Sequence, residues 1–188
     1  MHLTQTKRKA GFTLVELMIA VAIIGIMAAV ATPAFIAWLP NYRLKSAARD
    51  LYSALQNARL LAVKNNTTVQ VVFGPAANPN SYLIDLNGNG VVDLSGEYQV
   101  NLSGYGGGVQ FAFPAGLVDW GGAAVAQSIT FPGGICTYNS NGTSGVGTVY
   151  LVNVQQHIVY AITTVTSGAA KLRKYNGMLP FTANNWME

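Results

Sequence analysis

At 188 residues the chain has room for one globular domain and a further element, and its 10% charged content is low against the ~25% typical of soluble domains. Lys+Arg number 11 and Asp+Glu 7, but Lys7, Arg8 and Lys9 supply three of the cations; without the first eleven residues the balance is 8 against 7, which argues against a general nucleic-acid-binding surface. The single cysteine, Cys136, excludes an internal disulfide and zinc sites built from several cysteines.

The segment Met1–Ala10 is polar and ends in Lys7-Arg8-Lys9. From Phe12 to Leu39 the chain is apolar except for Thr13, Glu16 and Thr32, and no charge falls between Glu16 and Arg43. As a helix rising 1.5 Å per residue, this run is long enough to cross the ~30 Å hydrocarbon core of a bilayer. It exceeds the 7–15 apolar residues of an ordinary secretory signal. Basic residues before the span place the N-terminus on the cytoplasmic side. Glu16 is the anomaly. A carboxylate at the bilayer centre costs on the order of 2.5–3.5 kcal/mol, less near an edge. It needs either a cationic partner or the favourable field of a helix N-terminus.

The stretch Lys7-Arg8-Lys9-Ala10-Gly11-Phe12-Thr13-Leu14-Val15-Glu16 resembles the class III signal of type IV prepilins and type II secretion pseudopilins. The resemblance implies cleavage between Gly11 and Phe12 by a prepilin peptidase, and N-methylation of Phe12 by the same enzyme. It implies that Glu16 pairs with the cationic terminus of a neighbouring subunit during assembly. It further implies a single-pass protein of the bacterial inner membrane with its C-terminal domain in the periplasm, which then enters a pilus or pseudopilus. The partners would be other pilins or pseudopilins and the inner-membrane assembly platform. Gly25 and Pro33 fall where pilin-like helices often carry such residues, and Pro33 should kink the helix. The expected organisation is a leader over residues 1–11, an assembly helix over 12–39, an amphipathic continuation over 40–66 and a β-rich domain over 67–188.

Pro40 should bend or briefly break the helix. Beyond it, Leu44, Ala47, Ala48, Leu51, Leu55, Ala58 and Ala62 recur at three- and four-residue steps, the spacing of one helical face. Arg43, Lys45, Arg49, Asp50, Gln56 and Arg59 fall mostly on other faces; the basic ones read as mostly solvated, with phospholipid heads or neighbouring subunits as the alternative partners. Asn65-Asn66 reads as the stop, with Lys64 favourable in the last turn.

Short strands separated by turn chemistry follow: Thr68–Phe73, Ser81–Leu86, Tyr98–Leu102, Val109–Phe113, Ser128–Phe131, Thr148–Asn153, His157–Thr164 and Lys171–Asn176. The predicted fold class is α+β and pilin-like: one long helix packed on a mostly antiparallel sheet. Three stretches resemble the GspH/FimT group of minor pseudopilins. They are Ser46–Leu51 with Leu55-Gln56-Asn57-Ala58-Arg59, then Tyr138-Asn139-Ser140-Asn141-Gly142-Thr143, and Gly147–Leu151. That resemblance implies a subunit at or near a filament tip that primes assembly.

No catalytic motif is present, and the expectation is a non-enzyme. His157 reads as a solvated residue in a hairpin turn, and Cys136, in a Gly-rich apolar run, as a small buried hydrophobe. Asp85, Asn87, Asn89, Val91 and Asp93 alternate as in the first part of a calcium loop, with Gly90 at the sixth place. The twelfth place, where a bidentate Glu belongs, is Gly96, and Glu97 comes one residue late. Weak calcium binding and a plain Gly/Asn-rich turn both remain open. Otherwise no cofactor is expected. Lys171, Arg173 and Lys174 form a small basic cluster. Some FimT-like pilins bind DNA through a C-terminal Gly-Arg-x-Arg motif, which Gly168 to Arg173 only approximates. Three functions therefore remain: an assembly subunit, a DNA-capturing tip pilin, or an adhesive pilin.

Overall fold

The computed structural model describes residues 12–93, 95–177 and 180–188. The basic leader and Gly11 lie outside the described residues. The chain divides into two compact units at Trp38/Leu39.

A single helix, α1, runs over Leu14–Asn65. It passes through Gly25, Pro33 and Pro40 without interruption. Of the bend or brief break expected at Pro40, the break does not occur. Proline already holds a helical φ, and each one costs the helix a single N–H. Within the apolar span, the Thr32 hydroxyl donates to the Ala28 carbonyl at 2.7 Å, so the span's one neutral polar side chain past the first turn is satisfied inside its own helix. The C-terminus of α1 closes as a Schellman motif. Asn66 takes a left-handed φ of 52°, its N–H donates to Val63 O, and the N–H of Thr67 donates to Ala62 O. Asparagine tolerates that conformation better than most residues, which is why the Asn65-Asn66 pair stops the helix.

In the second unit, the buried face of α1 is Leu44, Ala47, Ala48, Leu51, Ala54, Leu55, Ala58 and Ala62. This is the expected stripe with Ala54 added. Its alanines let two sheets approach closely. One sheet has the order β3-β2-β1-β5, built from β1 (Val69–Phe73), β2 (Ser81–Asp85), β3 (Tyr98–Asn101) and β5 (Ile135–Tyr138). The other has the order β4-β6-β7-β8-β9, from β4 (Gln110–Phe111), β6 (Gly147–Val152), β7 (Val159–Thr164), β8 (Ala170–Tyr175) and β9 (Trp186–Met187). All their pairings are antiparallel.

The sequence pattern predicted one sheet, and two strands escaped it. β5 follows Pro132-Gly133-Gly134, turn chemistry that hides a four-residue strand. β9 is only two residues long. Ser128–Phe131 is not a strand, although Ile129 bridges Val149. The same edge of β6 is shared: β4 takes Leu151 and Val152, while Ser128 and Thr130 bond Tyr150 and Thr148.

β6 and β7 are buried along their whole length. Alternate residues explain this. Val149, Leu151, Tyr160 and Ile162 join the core beneath α1, while Tyr150, Val152, Val159 and Ala161 join a second cluster with Leu117 and Tyr175. Trp120, Phe181 and Trp186 pack on that second cluster. Trp186 meets Tyr175 and Trp120 at centroid distances of 5.4 and 5.8 Å, and its indole N–H donates to Val118 O.

Cys136 is fully buried, as its apolar surroundings suggested, and burial pushes its thiol up to about 11. Burial likewise pushes Tyr82 and Tyr138 well above their usual range, and Tyr150 up to about 12. Each of these groups holds its proton more tightly folded than unfolded. Stability is therefore flat up to pH ~9 and falls as pH rises through the unfolded values. Tyr82, Tyr138 and Cys136 each take away about 1.4 kcal/mol per pH unit in that window. The full chain in detergent should lose most of its urea resistance between about pH 9 and 11; an unchanged midpoint would contradict this burial.

Candidate functional site

The start of α1 places the residues that the sequence singled out. Phe12 is 84% exposed, immediately outside the helix. Thr13 caps it: the N–H of Glu16 donates to Thr13 Oγ1 at 3.2 Å, and the N–H of Leu17 to Thr13 O. Thr13-Leu14-Val15-Glu16 thus has the spacing of a capping box, with the acid in the first turn where the helix dipole favours it. Sequence reasoning recognised Glu16 but missed Thr13, although the Thr-x-x-Glu pattern was readable. An ammonium on Phe12 would sit one turn from that carboxylate at the positive end of the dipole. From Phe12 to Phe35 the large apolar side chains are exposed, and the apolar helix is long enough to cross a membrane.

The Asp85–Glu97 loop is held by its own hydrogen bonds. Fully buried Asp85 accepts from the N–H groups of Asn87, Gly88 and Gly90, at 3.1, 2.6 and 2.7 Å. The side-chain amides of Asn87 and Asn89 donate to the two oxygens of Asp93. Glu97 accepts from the N–H of Leu86 and of Asp93. Val91 donates its N–H to Asn89 Oδ1. The expected residues do converge, but the carboxylates are bonded to amides of the loop itself. Among the described residues, no group of three or more His, Cys, Asp or Glu side chains is placed to hold a metal.

The basic cluster is split by the pleat of β8. Lys171 and Arg173 share one face and Lys174 lies on the other. Glu188 bridges the first two, at 3.1 and 2.8 Å, and Arg173 also stacks 4.3 Å over the Trp120 ring. His157 is exposed in the β6–β7 turn, as predicted.

Sequence reasoning missed a clamp at the far end of α1. Arg59, read as solvated, donates through Nε to Gly142 O at 3.0 Å and through Nη2 to Ser167 O at 2.9 Å. It ties the helix to the β5–β6 and β7–β8 turns together. Nearer the start of this unit, Tyr105 donates to Asp50 at 2.7 Å, and Gly107 lies so close to Pro40 that a Cβ would come within 3.2 Å of Pro40 Cα. Arg59 and Asp50 are thus structural ties, although Asp50 stays exposed.

A long exposed apolar helix, capped at a cleavage-type motif and continuing beneath two antiparallel sheets, defines a pilin-like subunit. Residues 6–32 match the family model of the prokaryotic N-terminal methylation motif, and residues 47–168 match that of type II transport protein GspH. The chain belongs to the GspH family. It is 33% identical over 97 residues to a fimbrial protein of Pseudomonas aeruginosa, covering 52% of this chain and 61% of that one. It is 36% identical over 94 residues to the type IV major fimbrial protein FimA of Dichelobacter nodosus, covering 48% and 55%. The chain thus spans less than two thirds of these relatives' length. The crystal structure of the P. aeruginosa type IV minor pilin FimU is similar at 14% identity and a TM-score of 0.47, over 68% of this chain and 90% of that chain. Proteins of this family are structural subunits, not enzymes. The apolar helix and the prepilin motif point to single-pass membrane anchoring.

Proposed function

We propose that this chain is a minor pilin or pseudopilin that primes or caps assembly of a type II secretion pseudopilus or a type IV pilus. The observation that carries this reading is a single register. The basic leader, Gly11, Phe12, the helix-capping Thr13 and the lone acid Glu16 follow in one short register, and no further charge falls in α1 before Arg43. In this reading a prepilin peptidase cuts between Gly11 and Phe12 and methylates Phe12. The N-terminus faces the cytoplasm, the two-sheet domain faces the periplasm, and the assembly platform and other pilins are the partners. Glu16 pairs with the cationic terminus of a neighbouring subunit, which offsets the cost of a carboxylate in an apolar filament core. The DNA-capture alternative is weakened by Glu188, which occupies two of its three candidate cations.

Mass spectrometry of the membrane-extracted protein tests the processing step. The expected N-terminal peptide begins at a methylated phenylalanine, with the first eleven residues gone. A native, filament-borne chain that still carries Met1 would overturn the proposal.

A further inference from the structure

The second unit contains a cleft of ≈ 530 Å³ that no part of the assembly reading uses. It lies between the start of the unit and the β6–β7 turn, and its lining includes Asn41, Gln155, Gln156, His157, Asn176 and Phe181. This size falls in the range of small-ligand sites, about 300–1,000 Å³. None of its described lining residues carries a carboxylate, an ammonium or a guanidinium.

The rim is built rather than incidental. Asn153, fully buried at the end of β6, organises it from behind. Its side-chain amide donates to Asn41 Oδ1 at 2.8 Å, and its Oδ1 accepts from the N–H groups of Gln155 and Gln156, at 3.1 and 3.2 Å. Gln156 is held at a φ of 53°, a conformation costly for a residue other than glycine. Opposite, Gly177 adopts a φ of 78° and lies so close to His157 that a Cβ would come within 2.7 Å of its carbonyl oxygen. Phe181 is fixed against Tyr175 with ring centroids 5.4 Å apart.

We propose that this cleft binds a neutral saccharide of one or two rings. Carboxamides both donate and accept, as hydroxyl groups do, so several of them around one cavity suit a polyhydroxylated ligand better than an ion. An aromatic ring beside them offers a flat apolar surface for the C–H face of a sugar. A peptide main chain would instead seek an open strand edge, and this cleft is walled by α1 at Asn41, the β6–β7 turn and the segment after β8.

The test uses the full chain in a detergent without a sugar headgroup, probed by saturation-transfer NMR with maltose, N,N′-diacetylchitobiose and tri-alanine. The expected result is transfer to the ring protons of at least one disaccharide, with a Kd of about a millimolar. Phe181→Ala and Gln155→Ala should each weaken it about tenfold. Phe181 is a packing residue, so Gln155→Ala, with a melting temperature matching the parent's, decides if the first variant does not fold. No transfer to either sugar, undiminished transfer in Gln155→Ala, or preference for tri-alanine would each overturn the assignment.

Discussion

Replacing Glu16 with Gln should leave processing and membrane insertion intact but reduce incorporation into filaments by about two to three orders of magnitude. Two roles are open to this residue, and glutamine separates them. Its backbone N–H completes the Thr13 cap, a contribution of about 1 kcal/mol that glutamine leaves in place. As the partner of a neighbouring ammonium, it contributes a charge that glutamine lacks. Removing one member of a buried ion pair costs about 3–5 kcal/mol, because the other charge is left uncompensated. Each 1.4 kcal/mol is a factor of about ten in an equilibrium constant, so the loss of charge outweighs the cap. Glu16→Ala should behave as badly, and Glu16→Asp should recover part of the function. The measurement is the ratio of sheared-filament to membrane-bound protein, with the N-terminus checked by mass spectrometry in each variant. Wild-type incorporation of the Gln variant would reduce Glu16 to a helix-start residue and remove the basis of the assembly reading.

How far the fold was legible depended on whether each signal was local. The stripe from Leu44 to Ala62 was readable because helical periodicity is a property of neighbours along the chain. The stop at Asn66 was readable because asparagine tolerates the left-handed conformation. The division into two sheets was not, since β6 and β7 carry apolar residues on both faces and nothing local says what covers the second one. The cover proves to be the 117–125 segment together with Phe181 and Trp186, tens of residues away in either direction. The candidate site divided in the same way. Thr13 to Glu16 is a four-residue pattern, so its register could be read directly. The basic cluster at 171–174 looked contiguous, but a strand sends neighbours to opposite faces, and Glu188 returns to pair with both cations on one of those faces. Arg59 was assigned to solvent because its partners are backbone carbonyls 83 and 108 residues away.

Gly168→Ala should be among the most destabilising single substitutions in the second unit, costing about 3–5 kcal/mol and lowering Tm by roughly 10 °C. Gly168 has a φ of 78°, and a Cβ there would run into the Gly142 carbonyl oxygen and come within 2.9 Å of Arg59 Nε. Those two atoms form one hydrogen bond of the Arg59 clamp, so the extra carbon displaces the contact that joins α1 to both turns. Backbone strain accounts for only about 1–2 kcal/mol of this. Gly122 provides the control: its φ is 83°, yet a Cβ there would meet nothing within 4 Å, so Gly122→Ala should cost the strain alone. Gly168→Asn should still cost most of what the alanine variant does, because asparagine eases the strain but keeps the clash. Arg59→Met, which retains most of the apolar stem, should cost about 2–4 kcal/mol through the loss of two charge-assisted bonds. Since Gly168→Ala and Arg59→Met damage the same contact, the double variant should be more stable than the sum of the two losses predicts, by about 1 kcal/mol or more. Thermal melts of the full chain in detergent would read all five variants. Equal losses at Gly168 and Gly122, or strict additivity with Arg59, would mean that the clamp does not hold this end of the helix.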